Sequence, residues 1–171
     1  MRRFYIIMGG SLQSMKYYLD MPVPPGWLRI AERNEAVVEI KIMRQQEAAP
    51  EDAEQRDTAL LLEAKRQLEE YFAGIRAGFS LPLAPEGTAF QKAVWKQLEA
   101  IPYGETRTNW QIAAAAGNPK ASRAVGGANH NNPIAIVIPC HRVIGANGKL
   151  TGYAGGIDLK EALLRIEGII R

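Results

Sequence analysis

The chain has 171 residues and a mass of 18.9 kDa, is 47% hydrophobic and 23% charged, and contains a single cysteine. That size holds one domain or two small ones, and a lone Cys140 excludes an intramolecular disulfide, a cysteine-based zinc cluster and a CxxC redox pair. Residues 1–102 carry 13 basic and 14 acidic side chains while residues 103–171 carry 8 and 4, so the C-terminal half favours an anionic partner.

No apolar run is long enough to span a bilayer. The stretch Phe4–Met8, although preceded by arginines, is too short for the apolar region of a signal peptide. Residues 1–14 are expected to be a disordered extension before a second possible start at Met15, and the protein is expected to be cytoplasmic. From Met15 to Met43 the β-prone segments Tyr17–Leu19, Trp27–Ile30 and Val37–Ile42 are separated by prolines and by a Glu32–Glu35 turn. Gln45–Asp57 is polar and reads as a loop. Leu61, Ala64, Leu68 and Tyr71 or Phe72 recur at helical spacing up to Gly74. Residues 15–80 therefore form a small sheet-plus-helix domain in which no chemistry is evident.

Phe79–Gly87 reads as a link, and 87–171 as a second, mostly helical domain. The fold class is α/β. Thr88 with Gln91, and Thr108 with Gln111, are capping-box signatures that open helices. The second of these helices, Asn109–Ala116, ends at Gly117, and Pro119 starts a third over about Pro119–Ala128 that carries Lys120, Ser122 and Arg123. Two short helices joined by a tight turn match a helix-turn-helix. Ile134–Ile138, flanked by prolines, predicts a buried strand. Asn147–Gly148 is a turn dipeptide, and the sequence 145-GANG-148 is a turn rather than a phosphate loop, so no nucleotide cofactor is implied. An Asp158–Glu161 capping box opens the last helix, with Leu159, Leu163 and Ile166 on one face.

The densest functional cluster is Pro139-Cys140-His141-Arg142. A cysteine nucleophile needs a base for its proton, and a carboxylate behind the imidazole fixes the tautomer; Glu167, Glu161 and Asp158 are available for that role. Neighbouring strand residues face opposite ways, so Cys140 and His141 cooperate only if Pro139 breaks the strand or a water bridges them. A buried, inert cysteine is the alternative. Tyr153, between glycines, is either a core aromatic or a pocket wall.

The stretch PCHRVIG, preceded by NPIAIVI and followed by GKLTGYAGGIDLKEALLRIEG, closely resembles the methylated-DNA–protein-cysteine methyltransferases, as do GTAFQKAVWKQLEAIPYGETR and GNPKASRAVGGANHNNP upstream. MKYYLDMPVPPGWLRIAE and LLLEAKRQLEEYFAG resemble the family more loosely. The resemblance implies a stoichiometric repair protein that moves an alkyl group irreversibly from the 6-oxygen of guanine to Cys140. It implies that His141 takes the thiol proton through a water, that Glu167 orients His141 and that Asn132 supports the hinge before the active-site strand. It further implies that Arg123 enters the duplex where the base has left, that Tyr153 lines the base pocket and that Lys160 belongs to the pocket framework. Ser122, Lys120 and Asn109 complete the DNA- and substrate-binding set. The implied partner is double-stranded DNA bound through its minor groove, with the alkylated guanine flipped out, by a protein acting as a monomer without cofactor or membrane. The cysteine- and histidine-bound zinc of some relatives has no counterpart, because no cysteine precedes Cys140 and no histidine precedes His130.

One position departs from the family. Asn109, followed by Trp110, stands where the family carries a tyrosine whose hydroxyl stabilises the leaving guanine. Loss of that donor is expected to slow transfer by about one to two orders of magnitude unless Trp110 or Tyr103 compensates. It also leaves open a non-catalytic or weakly catalytic sensor of alkylated DNA. A plain helix-turn-helix transcription factor is a third reading.

Overall fold

A computed structural model describes residues 5–8, 11–24 and 26–171. Strands β1 (Tyr5–Met8) and β2 (Ser11–Ser14) pair antiparallel, with Tyr5 opposite Ser14. The described part of the expected disordered extension is therefore a hairpin. The β-prone run Tyr5-Ile6-Ile7 and the Gly9-Gly10 dipeptide are the sequence signals for it.

The main sheet has the order β5-β4-β3-β6, built from β3 (Lys16–Val23), β4 (Gly26–Arg33), β5 (Ala36–Met43) and β6 (Ala53–Gln55). Asn34 and Glu35, both at positive φ (52° and 61°), form the two-residue turn between β4 and β5, a conformation whose twist matches the strands it joins. β6 falls inside the segment read as a loop. It is three residues long, polar and parallel to β3, too short to show an alternation.

Leu19, Met21, Leu28, Ile30 and Ile40 bury one face of the sheet against Leu61, Ala64, Leu68 and Tyr71 of α1 (Ala59–Phe72). Thr58 caps this helix by accepting from Leu61 N. The other face holds Tyr18, Ala31 and Val38 and the Arg29–Asp20 pair. The connecting segment 79–87 is tied to the sheet edge, because Val37 N donates to Pro82 O and Ala84 N to Val37 O, each at 2.8 Å.

Helices α2 (Ala89–Glu99) and α3 (Asn109–Ala115) both carry the expected capping boxes. β7 (Arg107–Thr108), just before α3, pairs in parallel with β8 (Val143–Ile144). The third helical segment divides into a 3-10 turn, Pro119–Ala121, and α4 (Ser122–His130). Trp95 of α2 is buried and donates Nε1–H to Ala128 O of α4 at 2.8 Å, fixing the helices together. The last helix, α5 (Ile157–Ile166), lacks the expected side-chain cap. The helix starts two residues before the position the box requires, with Gly156 at its N-cap, so Asp158 lies within the first turn, where its carboxylate accepts from Arg44 at the end of the sheet. One continuous apolar core runs from Leu19 and Ile30 of the sheet to Val94, Ile134 and Leu163 of the helical half. No helix among the described residues is long and apolar enough to cross a membrane.

Candidate active site

The run Ile134–Ile138 is not a strand. Only Ile134 bridges to the sheet, at Ile40, through Ile40 N to Pro133 O and Ala135 N to Ile40 O. The chain then coils. Val137 N donates to Ala135 O across Ile136, whose φ is +72°, a γ-turn that is strained for a β-branched residue. Ile134, Ile136 and Ile138 still enter the core. An unbroken apolar run does not distinguish a strand from a buried coil, and Pro133 and Pro139 leave little room for a ladder.

Pro139 (φ −84°, ψ 63°) makes a second γ-turn, with Cys140 N donating to Ile138 O at 2.8 Å. Cys140, His141 and Arg142 then form one 3-10 turn. The proline thus breaks the strand geometry that would have sent Cys140 and His141 to opposite faces. Asn132 secures the bend: its Nδ2 donates to Ile138 O at 2.7 Å and approaches Cys140 Sγ at 3.2 Å, while its Oδ1 accepts from Ile134 N.

His141 and Glu167 side chains are both 0% exposed, with Nε2 2.8 Å from Oε1. Arg142 reaches the same carboxylate with two donors, Nε to Oε2 and Nη2 to Oε1, each at 2.9 Å. Its Nη1 donates to Ile101 O. Tyr71, from α1, donates its hydroxyl to Glu167 Oε1 at 2.8 Å. Burial alone would raise the Glu167 pKa, but the donors from His141 and Arg142 outweigh it and hold it at about 2. Burial pushes the His141 pKa down against the pull of Glu167, so the contact is a hydrogen bond from a neutral ring rather than an ion pair. Its Nε2–H is committed to Glu167, which leaves Nδ1 as the basic atom, buried and without a protein partner. Burial pushes the Cys140 thiol up, partly opposed by Asn132 and by the charge of Lys160. Among the described residues no direct hydrogen bond joins the Cys140 thiol to the His141 ring.

Cys140 opens onto a cavity also lined by Asn109, Asn129, His130, Val143, Tyr153 and Lys160. Lys160 is buried and donates Nζ to the carbonyls of Val143 and Thr151, and burial lowers its pKa. The Tyr153 hydroxyl is buried with no partner, which places this ring on the pocket wall.

Arg123 and Lys120 are exposed, Ser122 is half-buried at the start of α4, and none of the three lines the cavity. Between Glu105 and Asp158 the sequence has no Asp or Glu, so these cations lie in a stretch free of carboxylates. Tyr103 and Trp110 do not take the tyrosine's place. Tyr103 donates its hydroxyl to Ile166 O, and Trp110 is 59% exposed and off the cavity wall. Asn109 does line the cavity. Among the described residues no group of three or more His, Cys, Asp or Glu side chains is placed to hold a metal ion.

The sequence assigned no role to Tyr71 or Asn129, and none to Arg142 although it stands in the Pro139–Arg142 cluster. A tyrosine on a buried helical stripe signals a hydroxyl that needs a partner, and the arginine beside His141 signals a carboxylate to bind. The partners themselves lie 96 and 25 residues away.

A family model described as 6-O-methylguanine DNA methyltransferase, DNA binding domain, matches residues 89–169, and one described as 6-O-methylguanine DNA methyltransferase, ribonuclease-like domain, matches residues 15–85. The chain is 54% identical over 153 residues to a methylated-DNA–protein-cysteine methyltransferase of Methanosarcina acetivorans, covering 89% of this chain and 98% of the relative. It is 49% identical over 160 residues to the constitutive methylated-DNA–protein-cysteine methyltransferase of Bacillus subtilis, covering 91% and 97%. The crystal structure of the Mycobacterium tuberculosis O6-methylguanine methyltransferase superposes with a TM-score of 0.81 at 45% identity, covering 90% of this chain and 93% of that one. A structure of the M. tuberculosis protein in complex with DNA gives the same TM-score and identity, covering 88% and 92%.

Proposed function

The chain belongs to the 6-O-methylguanine DNA methyltransferase family, and from that premise we propose that it repairs 6-O-alkylguanine in DNA by transferring the alkyl group irreversibly to Cys140. The observation that carries the proposal is a buried, unpartnered Nδ1 on His141, the residue that follows Cys140 in one 3-10 turn, with the other ring nitrogen held by a Glu167 that Arg142 also grips.

The protein meets duplex DNA through the α3–α4 pair, acting as a helix-turn-helix in the minor groove. Residues 15–80 serve as a supporting domain and 87–171 as the DNA-binding and alkyl-transfer domain. The alkylated oxygen is inaccessible within a stacked duplex, so the nucleotide is extruded into the cavity. Arg123 fills the gap in the stack, while Lys120 and Ser122 hold the backbone. Tyr153 packs against the base, and Asn109 contacts its edge.

The thiol proton passes through a water to His141 Nδ1. Glu167 orients the ring and stabilises the imidazolium that forms. Cys140 Sγ attacks the alkyl carbon, the carbon–sulfur bond forms, and the bond to the 6-oxygen breaks with its electron pair staying on oxygen. The proton held by His141 returns to the guanine. Lys160 offsets the charge of the transient thiolate. The thioether has no activated carbonyl for water to attack, so each chain acts once, as a monomer.

Intact-mass analysis after incubation with a duplex containing 6-O-methylguanine tests the proposal. The protein gains about 14 Da on Cys140, the mass of one methyl replacing hydrogen. The C140S variant binds the duplex and gains nothing. No mass gain on the wild-type chain overturns the proposal. Arg123→Ala lowers transfer from duplex DNA by about tenfold and leaves reaction with the free base within about twofold.

A further inference from the structure

Asn129, in the last turn of α4, donates Nδ2–H to Asn109 Oδ1, at the start of α3, across 2.8 Å. Both residues line the cavity that holds Cys140. An amide carries a carbonyl acceptor and an NH2 donor, so two amides joined by one such bond keep one carbonyl and one NH2 unused. Here the unused carbonyl is Asn129 Oδ1, buried and without a partner. Asn109 Nδ2 makes no hydrogen bond among the described residues. A buried acceptor left unpaired is costly, and such a group in the wall of a substrate cavity is satisfied when a complementary ligand enters.

We propose that the Asn109–Asn129 amide pair reads the 2-amino and N3 edge of the extruded purine, Asn129 Oδ1 accepting from the 2-amino group and Asn109 Nδ2 donating to N3. The inference rests on the alkyl-transfer reading of this cavity. A guanine that presents its 6-oxygen to Cys140 has that edge at the opposite end of its ring system. The edge places a donor beside an acceptor, the complement of what the amide pair offers. The Tyr153 hydroxyl, the other unpartnered group on the wall, is a single oxygen and does not supply both. Hypoxanthine lacks the 2-amino group, and thymine presents a carbonyl there with no neighbouring donor. The pair is thus a specificity device for alkylated guanine, at the position where the family's tyrosine is missing.

The test compares 6-O-methylguanine with 6-O-methylhypoxanthine at one position of a single-stranded oligonucleotide, so that base-pair opening does not enter. Single-turnover rates are followed by intact mass. Wild-type protein is expected to methylate itself about tenfold faster from the guanine lesion, the usual discrimination when a buried acceptor loses its donor. Asn129→Leu brings the two rates within about twofold, and Asn109→Ala, which breaks the pair from the other side, does the same. Equal rates in the wild type, or an Asn129→Leu variant that keeps the tenfold ratio, overturn the inference and leave the alkyl-transfer reading intact. Absence of an adduct from either lesion removes both.

Discussion

Two buried carboxylate–guanidinium pairs, one in each half of the molecule, differ in what surrounds them. In the sheet, Asp20 and Arg29 side chains are each 6% exposed and meet through two hydrogen bonds, with the remaining guanidinium donors on Glu47 O and Ala48 O. In the helical half, Arg142 holds Glu167 with similar geometry, but the network continues to His141 and stops at an unused nitrogen. Of the four buried polar side-chain atoms left unpartnered among the described residues, Tyr153 OH and Asn129 Oδ1 belong to residues that line the cavity of Cys140, His141 Nδ1 belongs to the residue that follows Cys140 in the same 3-10 turn, and the fourth is Arg33 Nε. Buried polar groups are ordinarily paired, so the comparison separates a pair closed onto backbone carbonyls from one whose network ends on an unused nitrogen.

The largest expected effect on rate comes from opening the incomplete network. Glu167→Gln leaves His141 without its anionic partner, and the single-turnover transfer rate should fall by about two to three orders of magnitude. It should also destabilise the fold, because Arg142 is then buried beside a neutral amide. Asp20→Asn breaks the complete pair. The expected loss is about 3 kcal/mol in denaturant unfolding, with the transfer rate of the folded protein unchanged. A comparable drop in rate for Asp20→Asn would erase the distinction between the two regions.

Acid should probe the network next. Glu167 is held at about 2, below its ordinary 4.5, so its stabilisation is complete above pH 4.5 and is lost as pH falls from there towards 2. His141 is also depressed from its ordinary 6.5, so its contribution is complete above pH 6.5 and begins to fade below it. Unfolding free energy should therefore begin to decline below pH 6.5 and fall more steeply below 4.5. Replacing His141 by Gln should remove the first part of the decline.

Tyr71→Phe is the gentlest probe. It removes one of the donors to Glu167 Oε1 while keeping the ring. The expected cost is about 1 to 2 kcal/mol in stability, with transfer changed by less than about fivefold. A far larger loss of rate would make the N-terminal half a direct participant in the chemistry.

The capping boxes of α2 and α3, strands β3 to β5 and the cluster around Cys140 were legible in the sequence, because each is written in local signals. Thr88 and Thr108 with their glutamines specify helix starts within four residues, and the resemblance around PCHRVIG assigned Cys140, His141 and Glu167 their roles. Beside the short strands β1, β2 and β6, three further features were not legible. The Ile134–Ile138 coil is apolar throughout and carries no period that distinguishes it from a strand. The helix start expected at Asp158 falls at Gly156, which has no side chain to announce a cap, and Asp158 pairs instead with Arg44, 114 residues away in sequence. Tyr71 belongs to a helix that reads as core, and only the packing of α1 against the helical half brings its hydroxyl to Glu167. Local chemistry is readable residue by residue, whereas a hydrogen bond across the fold needs the fold.

The most direct test of the account is a titration of the protein with a tenfold excess of duplex carrying 6-O-methylguanine, followed by peptide mapping. The account predicts a plateau at one methyl per chain, carried by the peptide containing Cys140, with no further lesion repaired. Continued repair beyond one lesion per chain, or a methyl on any other residue, would contradict it.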